Sequence, residues 1–202
     1  MSSRDDILAA IRANRPWVQR ALPEVPPFDS APPASLLARF RENLERMGGV
    51  LLDPPAGDPL LPVRQKIAPA RVVCSTAPEI AGNRDIVGVE SPRELADVDF
   101  AIVRAAFGIA ETGSLLLHDS ELHVNALAYL AQHLIVLLDA ADIVVNLHHA
   151  YRRPDFRTGH YASFHTGPSA TADIEGVLIH GAQGVRSLSV LPVARSAASP
   201  TR

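Results

Sequence analysis

Leu134-Ile-Val-Leu-Leu138 is an unbroken run of five apolar residues, preceded by Gln132-His133 and followed by Asp139. It is too short for a stable helix and shows no alternation of apolar and polar positions. Such a run reads as a strand covered on both faces, the pattern of parallel sheets flanked by helices. Working outward, five further runs have the same texture: Val50-Leu-Leu52, Arg71-Val-Val-Cys74, Phe100-Ala-Ile-Val103, Ser114-Leu-Leu-Leu117 and Ser187-Leu-Ser-Val-Leu191. Helical signals fall between them, at residues 60–67, 91–96, 121–131, 140–150 and 172–180. Strand and helix in alternation predict an α/β fold, an open, mostly parallel sheet with helices on both faces.

The first quarter of the chain is different. Ten of the 17 prolines lie between Pro16 and Pro62, where fixed φ and missing N–H donors argue against central strands. A first helix is expected from Ser3, whose hydroxyl can cap its free N–H groups, with Asp5 and Asp6 in its positive first turn and an apolar stripe of Ile7, Leu8 and Ile11. A second is capped by Ser35, carries Leu37, Phe40, Leu44 and Met47 at helical spacing, and stops at Gly48-Gly49. Between them, Pro23 to Pro33 reads as an extended linker. The organisation expected is therefore an N-terminal helical, proline-rich arm (1–48), an α/β domain (49–195) and a frayed tail (196–202).

Composition narrows the function classes. The 202 residues carry 19 Lys and Arg against 22 Asp and Glu, a formal charge of −3. No cationic excess is available to neutralise phosphates, so nucleic acid is not expected as the main partner. One cysteine, Cys74, excludes an internal disulfide framework and a cluster ligated by several thiolates of this chain. The N-terminus lacks a basic and then apolar leader, and the most apolar stretch, residues 122–147, contains two histidines and two aspartates. Neither a secretory signal nor a membrane span is expected, and the location expected is the cytoplasm.

Two segments stand apart from ordinary core and connector. In Gly108-Ile-Ala-Glu-Thr-Gly-Ser-Leu-Leu-Leu117, a carboxylate (Glu111), two hydroxyls (Thr112, Ser114) and Gly113 sit at a turn between apolar runs. Gly113 can bring the backbone close to a ligand, or simply supply the positive φ of a turn whose Glu111 is solvated. In His165-Thr-Gly-Pro-Ser-Ala-Thr-Ala-Asp-Ile-Glu175, a short strand ends at Gly167-Pro168 and a helix is expected to open near Ser169 or Thr171. Its free N–H groups could hold an anion, or Ser169 and Thr171 could cap it while Asp173 and Glu175 offset its dipole. The eight histidines show no zinc-type spacing, so no metal site is expected. Phosphate-binding glycine signatures and a GxSxG elbow are missing. Cys74 reads as a small core residue. Arg152-Arg153 with Asp155 and Arg157 reads as a solvated loop that could also supply positive charge to an anionic ligand.

The same two segments carry a resemblance. Ala110-Glu-Thr-Gly-Ser-Leu-Leu-Leu117 resembles the AETGT strand–turn–strand of the LUD domain family, and Gly167-Pro-Ser-Ala-Thr-Ala-Asp-Ile-Glu175 resembles its GPSxTADIE signature. Their order and separation agree, and the likeness covers roughly residues 70–194, with a weaker extension into the helical N-terminus. It implies a fold like that of the NagB/RpiA/CoA-transferase group. For a short member without iron–sulfur motifs, it also implies a non-redox role beside two iron–sulfur proteins that oxidise L-lactate to pyruvate. The chain itself would hold no cofactor. Glu111 would be a candidate catalytic group, and Thr112, Gly113, Ser114, Gly167, Pro168, Ser169, Thr171, Asp173 and Glu175 would line a pocket for a small carboxylate such as lactate. The sequence departs from the family pattern at Gln132-His133, where a proline is usual, and at Gln183-Gly184-Val185, where His-Gly-Pro is usual. Two other functions fit the same fold: a free-standing CoA-transferase-like or sugar-phosphate-isomerase-like enzyme using Glu111, and a ligand-free assembly or regulatory module.

Overall fold

The computed structural model describes residues 2–16 and 20–195. The expected tail at 196–202 lies outside the described residues.

The arm begins with helix α1 (Ser3–Ala13). Its cap is Ser2, one residue earlier than expected: the Ser2 hydroxyl accepts from the Asp5 N–H, and the Asp5 carboxylate accepts from the Ser2 N–H at 3.2 Å. No residue of α1 is buried. Helix α2 (Leu36–Arg46) starts at Ser35, whose Oγ accepts from the Ala38 N–H at 3.2 Å. It buries Phe40, Asn43 and Leu44. Gly48, at φ 84°, turns the chain so that the Gly49 N–H reaches the Leu44 carbonyl at 2.9 Å, a left-handed C-terminal stop.

The domain proper follows with strand β1 (Val50–Leu51), helix α3 (Leu61–Ile67), and strands β2 (Val73–Ser75) and β3 (Phe100–Arg104). Strand β4 (Phe107–Ile109) and strand β5 (Ser114–His118) lead to two short helices, α4 (Asp119–Leu122) and α5 (Leu127–Leu130). Then come β6 (His133–Leu138), β7 (Ile143–Val144), α6 (Leu147–Arg152) and β8 (Ala162–His165). The chain ends with β9 (Ala170–Thr171), β10 (Ile179–His180) and β11 (Ser187–Pro192).

The central sheet is five-stranded and wholly parallel, in the order β1-β11-β6-β3-β2. The decisive run, residues 134–138, is its middle strand, with Ile135 opposite Ile102 on one side and Ser189 on the other. Its side chains divide as the pleat requires. Leu134, Val136 and Leu138 join Phe40, Leu44 and Leu127 on one face; Ile135 and Leu137 join Val63, Ile102 and Leu191 on the other. Helices α2 and α5 therefore cover one face and α3 the other, which explains the absence of alternation in the sequence.

The Ser114–His118 strand does not belong to this sheet. It pairs antiparallel with β4 and β8 in a second sheet of order β7-β4-β5-β8. The reason is local: Gly113, at φ 68°, reverses the chain in a few residues, and so short a connection can join only antiparallel neighbours. Three expected helices also change. Residues 121–131 break at His123, whose φ of 57° cannot continue a right-handed turn. Within 140–150, β-branched Ile143 and Val144 pair with β4 as an edge strand before Asn146 caps α6 at the His149 N–H. Residues 172–180 form no helix: β9 and β10 make a hairpin whose tip places Glu175 and Gly176 at φ 53° and 70°.

Candidate functional site

The turn between β4 and β5 lies against the last turn of α2. Asn43 donates its buried amide to the Ala110 carbonyl at 2.8 Å. A Cβ on Gly113 would fall 2.3 Å from the Leu44 backbone nitrogen, so glycine here lets helix and turn touch. The second motif approaches the same turn: a Cβ on Gly167 would fall 2.1 Å from the Met47 carbonyl, and Pro168 packs at Gly48. The two motifs join through hydroxyls. Thr112 Oγ1 lies 2.6 Å from Ser114 Oγ, which lies 2.6 Å from Thr166 Oγ1.

The other candidate residues spread out from this junction. Glu111 Oε2 accepts from the Leu147 N–H at 3.1 Å, at the start of α6. The Glu111 side chain also borders a shallow pocket of about 350 Å³ with Phe28, Pro33, Arg39 and Asn146. The Ser169 N–H bonds to the Val185 carbonyl at 3.0 Å, beside Gly184. Thr171 Oγ1 accepts from the Asp173 N–H at 3.2 Å, a local turn in place of a helix cap. Asp173 and Glu175 are exposed in the hairpin. The structure thus brings Thr112, Gly113, Ser114, Gly167 and Pro168 together around α2, with Glu111 on one flank and Ser169, Thr171, Asp173 and Glu175 on the other.

A larger cavity, about 470 Å³, opens elsewhere, where the central sheet meets the second sheet. Thr76 just beyond β2, Arg104 at the end of β3, His118 at the end of β5 and Arg195 beyond β11 all line it. This is the carboxyl edge of the parallel strands, where open α/β sheets bind ligands. Arg104 is buried, and its Nε donates to Glu79 Oε1 at 3.0 Å while Nη1 reaches the Val193 carbonyl at 3.3 Å. Arg153 stacks over the Phe107 ring at 4.9 Å, with Nε on Asp155 at 2.7 Å and Nη2 on Asp142 at 3.3 Å. Arg195 donates Nη2 to the Ala105 carbonyl at 2.8 Å, and its Nε lies 3.5 Å from Asp142. The Arg195 and Ala141 N–H groups hold the Asp139 carboxyl below the usual carboxylate range.

Not every polar atom of this cavity is matched. His118 is 4% exposed, and among the described residues neither of its ring nitrogens has a hydrogen-bond partner. Thr76 Oγ1 and Glu79 Oε2 are buried in the same condition. Unmatched buried polar atoms are uncommon in folded proteins. The cavity is lined by three guanidiniums, of Arg104, Arg153 and Arg195, and four carboxylates, of Glu79, Glu121, Asp142 and Asp155. Burial pushes the Cys74 thiol up, away from nucleophilic use. Among the described residues, no three His, Cys, Asp or Glu side chains gather as metal ligands, and no helix is long and apolar enough to cross a membrane.

Of this cavity, the sequence reading touched only the Arg153–Asp155 loop as a source of positive charge. The usable signal for the rest was positional: Arg104 and His118 each close an otherwise apolar strand at its carboxyl end.

Comparison with known proteins agrees with the architecture. A lactate utilization protein C from Deinococcus radiodurans is 28% identical over 199 residues, covering 91% of this chain and 90% of that protein. The crystal structure of a DUF162 family protein from the same organism superposes with a TM-score of 0.58 at 18% identity, covering 85% of this chain and 100% of the other, a likeness of fold. Residues 83–193 match the LUD domain family model, a span that holds both motifs, both sheets' inner strands and the end of β11. The chain belongs to the LUD domain family.

Proposed function

We propose that this chain is the non-redox subunit of an assembly that oxidises L-lactate to pyruvate, with the iron–sulfur clusters in partner proteins. The observation that carries the reading is the likeness to lactate utilization protein C, which runs through nine-tenths of both chains rather than one motif. The cysteine count supports it: Cys74 is the sole thiol and is buried, so a cluster ligated by several thiolates would lie in other chains. The reading places the chain in the cytoplasm beside those partners. Glu111 fits a free-standing acyl or sugar-phosphate enzyme less well, because its Oε2 is engaged with the Leu147 N–H at the start of α6.

The test is affinity purification of the tagged full chain from its native host grown on L-lactate. Two cysteine-rich iron–sulfur proteins should co-purify, and the eluate should form pyruvate from L-lactate with an artificial electron acceptor. An eluate containing neither iron nor lactate-oxidising activity contradicts the proposal.

A further inference from the structure

We infer that helix α1 docks on the β9–β10 hairpin of a second copy of this chain, so that two copies exchange their arms. Both elements stand exposed although elements of their kind need support. Helix α1 has 11 residues and buries none of them, and helices shorter than about 12–15 residues are marginal in water without packing. Strands β9 and β10 form a two-stranded sheet of their own, an arrangement equally marginal in isolation. Around the hairpin tip, Ile174, Val177 and Leu178 are each more than half exposed, as are Ile7 and Ile11 on the helix.

Charge tells which surface covers which. On α1, Arg4, Leu8 and Ile11 recur at steps of four and three, with Ile7 and Arg12 beside them on the same face. Asp6 lies on the opposite face, and Asp5 is engaged with Ser2 in the capping box. The helix thus presents an apolar stripe between two guanidiniums. The hairpin presents Ile174, Val177 and Leu178 beside the exposed carboxylates of Asp173 and Glu175. Among the described residues, no ion pair engages Arg4, Arg12, Asp173 or Glu175. Packed together, the two surfaces form an apolar centre with a charge-matched, solvated rim, the anatomy of a protein interface. Within one chain they stay apart: among the described residues, no hydrogen bond or ion pair links residues 2–15 to the rest. The root of the arm is tied to α6 through Val25, Pro27 and Asp29, and residues 14–24 can span up to about 40 Å from it. A two-fold axis makes the contact twice, each helix on the other copy's hairpin.

Each contact engages only a few apolar side chains, so the dimer is weak, with a Kd of about 10–100 µM. Unfolding titrations at about 1 µM therefore read the monomer. The test is sedimentation equilibrium of the purified full chain over about 5–500 µM, which needs no partner protein and so stands apart from the proposed assembly. A monomer–dimer equilibrium is expected. Ile11→Asp and Leu178→Asp, both at exposed positions, should each weaken it at least about tenfold. Mixed in equal amounts, these two variants should form a heterodimer, because the intact helix of one meets the intact hairpin of the other. Arg4→Glu with Arg12→Glu should also weaken the dimer, and adding Asp173→Arg with Glu175→Arg to the same chain should restore it. A monomer at every concentration overturns the inference. So does a dimer unchanged in either folded Asp variant, since α1 or the hairpin would then lie outside the interface. Loss in both variants without recovery in their mixture overturns the exchange between copies.

Discussion

Gly113 shows how a motif glycine acts at the scale of one residue. Its φ of 68° and the 2.3 Å gap between a built Cβ and the Leu44 nitrogen leave room for no other side chain. Gly113→Ala combines left-handed strain of about 1–2 kcal/mol with overpacking of about 1–3 kcal/mol, and should lower stability in urea by about 3 kcal/mol. Gly88→Ala has a similar φ of 87° but nothing within 4 Å, and should lose only about 1 kcal/mol. A comparable loss for both variants would contradict the role of the α2 contact. The sequence made this glycine legible as a turn but not as the seat of a helix, because the partner lies some seventy positions upstream.

His165 is the other residue with a measurable consequence. Burial pulls its pKa down to about 4, with Ser163 Oγ 2.9 Å from Nε2. An unfolded histidine titrates near 6.5, so between these values the unfolded chain binds more protons and stability rises with pH. The stabilisation is complete above about pH 6.5 and is lost as the pH falls toward 4, by roughly 3 kcal/mol. Burial and the nearby Arg186 and Lys66 also lower His133, which adds in the same direction. Urea unfolding between pH 7 and 4.5 should show this loss, and His165→Gln should flatten it. An equal slope in the variant would assign the acid sensitivity elsewhere.

Among the elements, the proline-rich linker behaves as a strap. Asn146 donates its amide to the Pro27 carbonyl at 2.7 Å while its Oδ1 caps α6, and Asp29 meets His149 at 2.9 Å. Asn146→Ala removes the cap and the tie together. It should cost about 1–2 kcal/mol and speed proteolysis within residues 20–34, read by mass spectrometry of limited digests. Helix α1 is the contrast, since no residue of it is buried. Deleting residues 1–13 should move the unfolding free energy by no more than about 0.5 kcal/mol. Strands and capped helices were legible because their signals are local: an unbroken apolar run for β6, Ser35 and Gly48 for α2. The stretch 172–180 misled because Glu175 takes a left-handed φ, a conformation its side chain does not announce.

At the scale of the whole molecule, the account depends on two sheets meeting at the carboxyl ends of the parallel strands. The sequence predicted one sheet, and splitting it in two creates the crevice. That crevice gathers Thr76, Arg104, His118, Arg153 and Arg195 from far apart in the chain, so no spacing rule could have assembled them. The motifs that mark the family were legible; their placement around the end of α2, away from this cavity, was not. The most direct measurement is affinity purification of the tagged full chain from its native host grown on L-lactate. Two iron–sulfur proteins should accompany the chain, with lactate-oxidising activity in the eluate. An eluate with neither iron nor that activity would contradict the account.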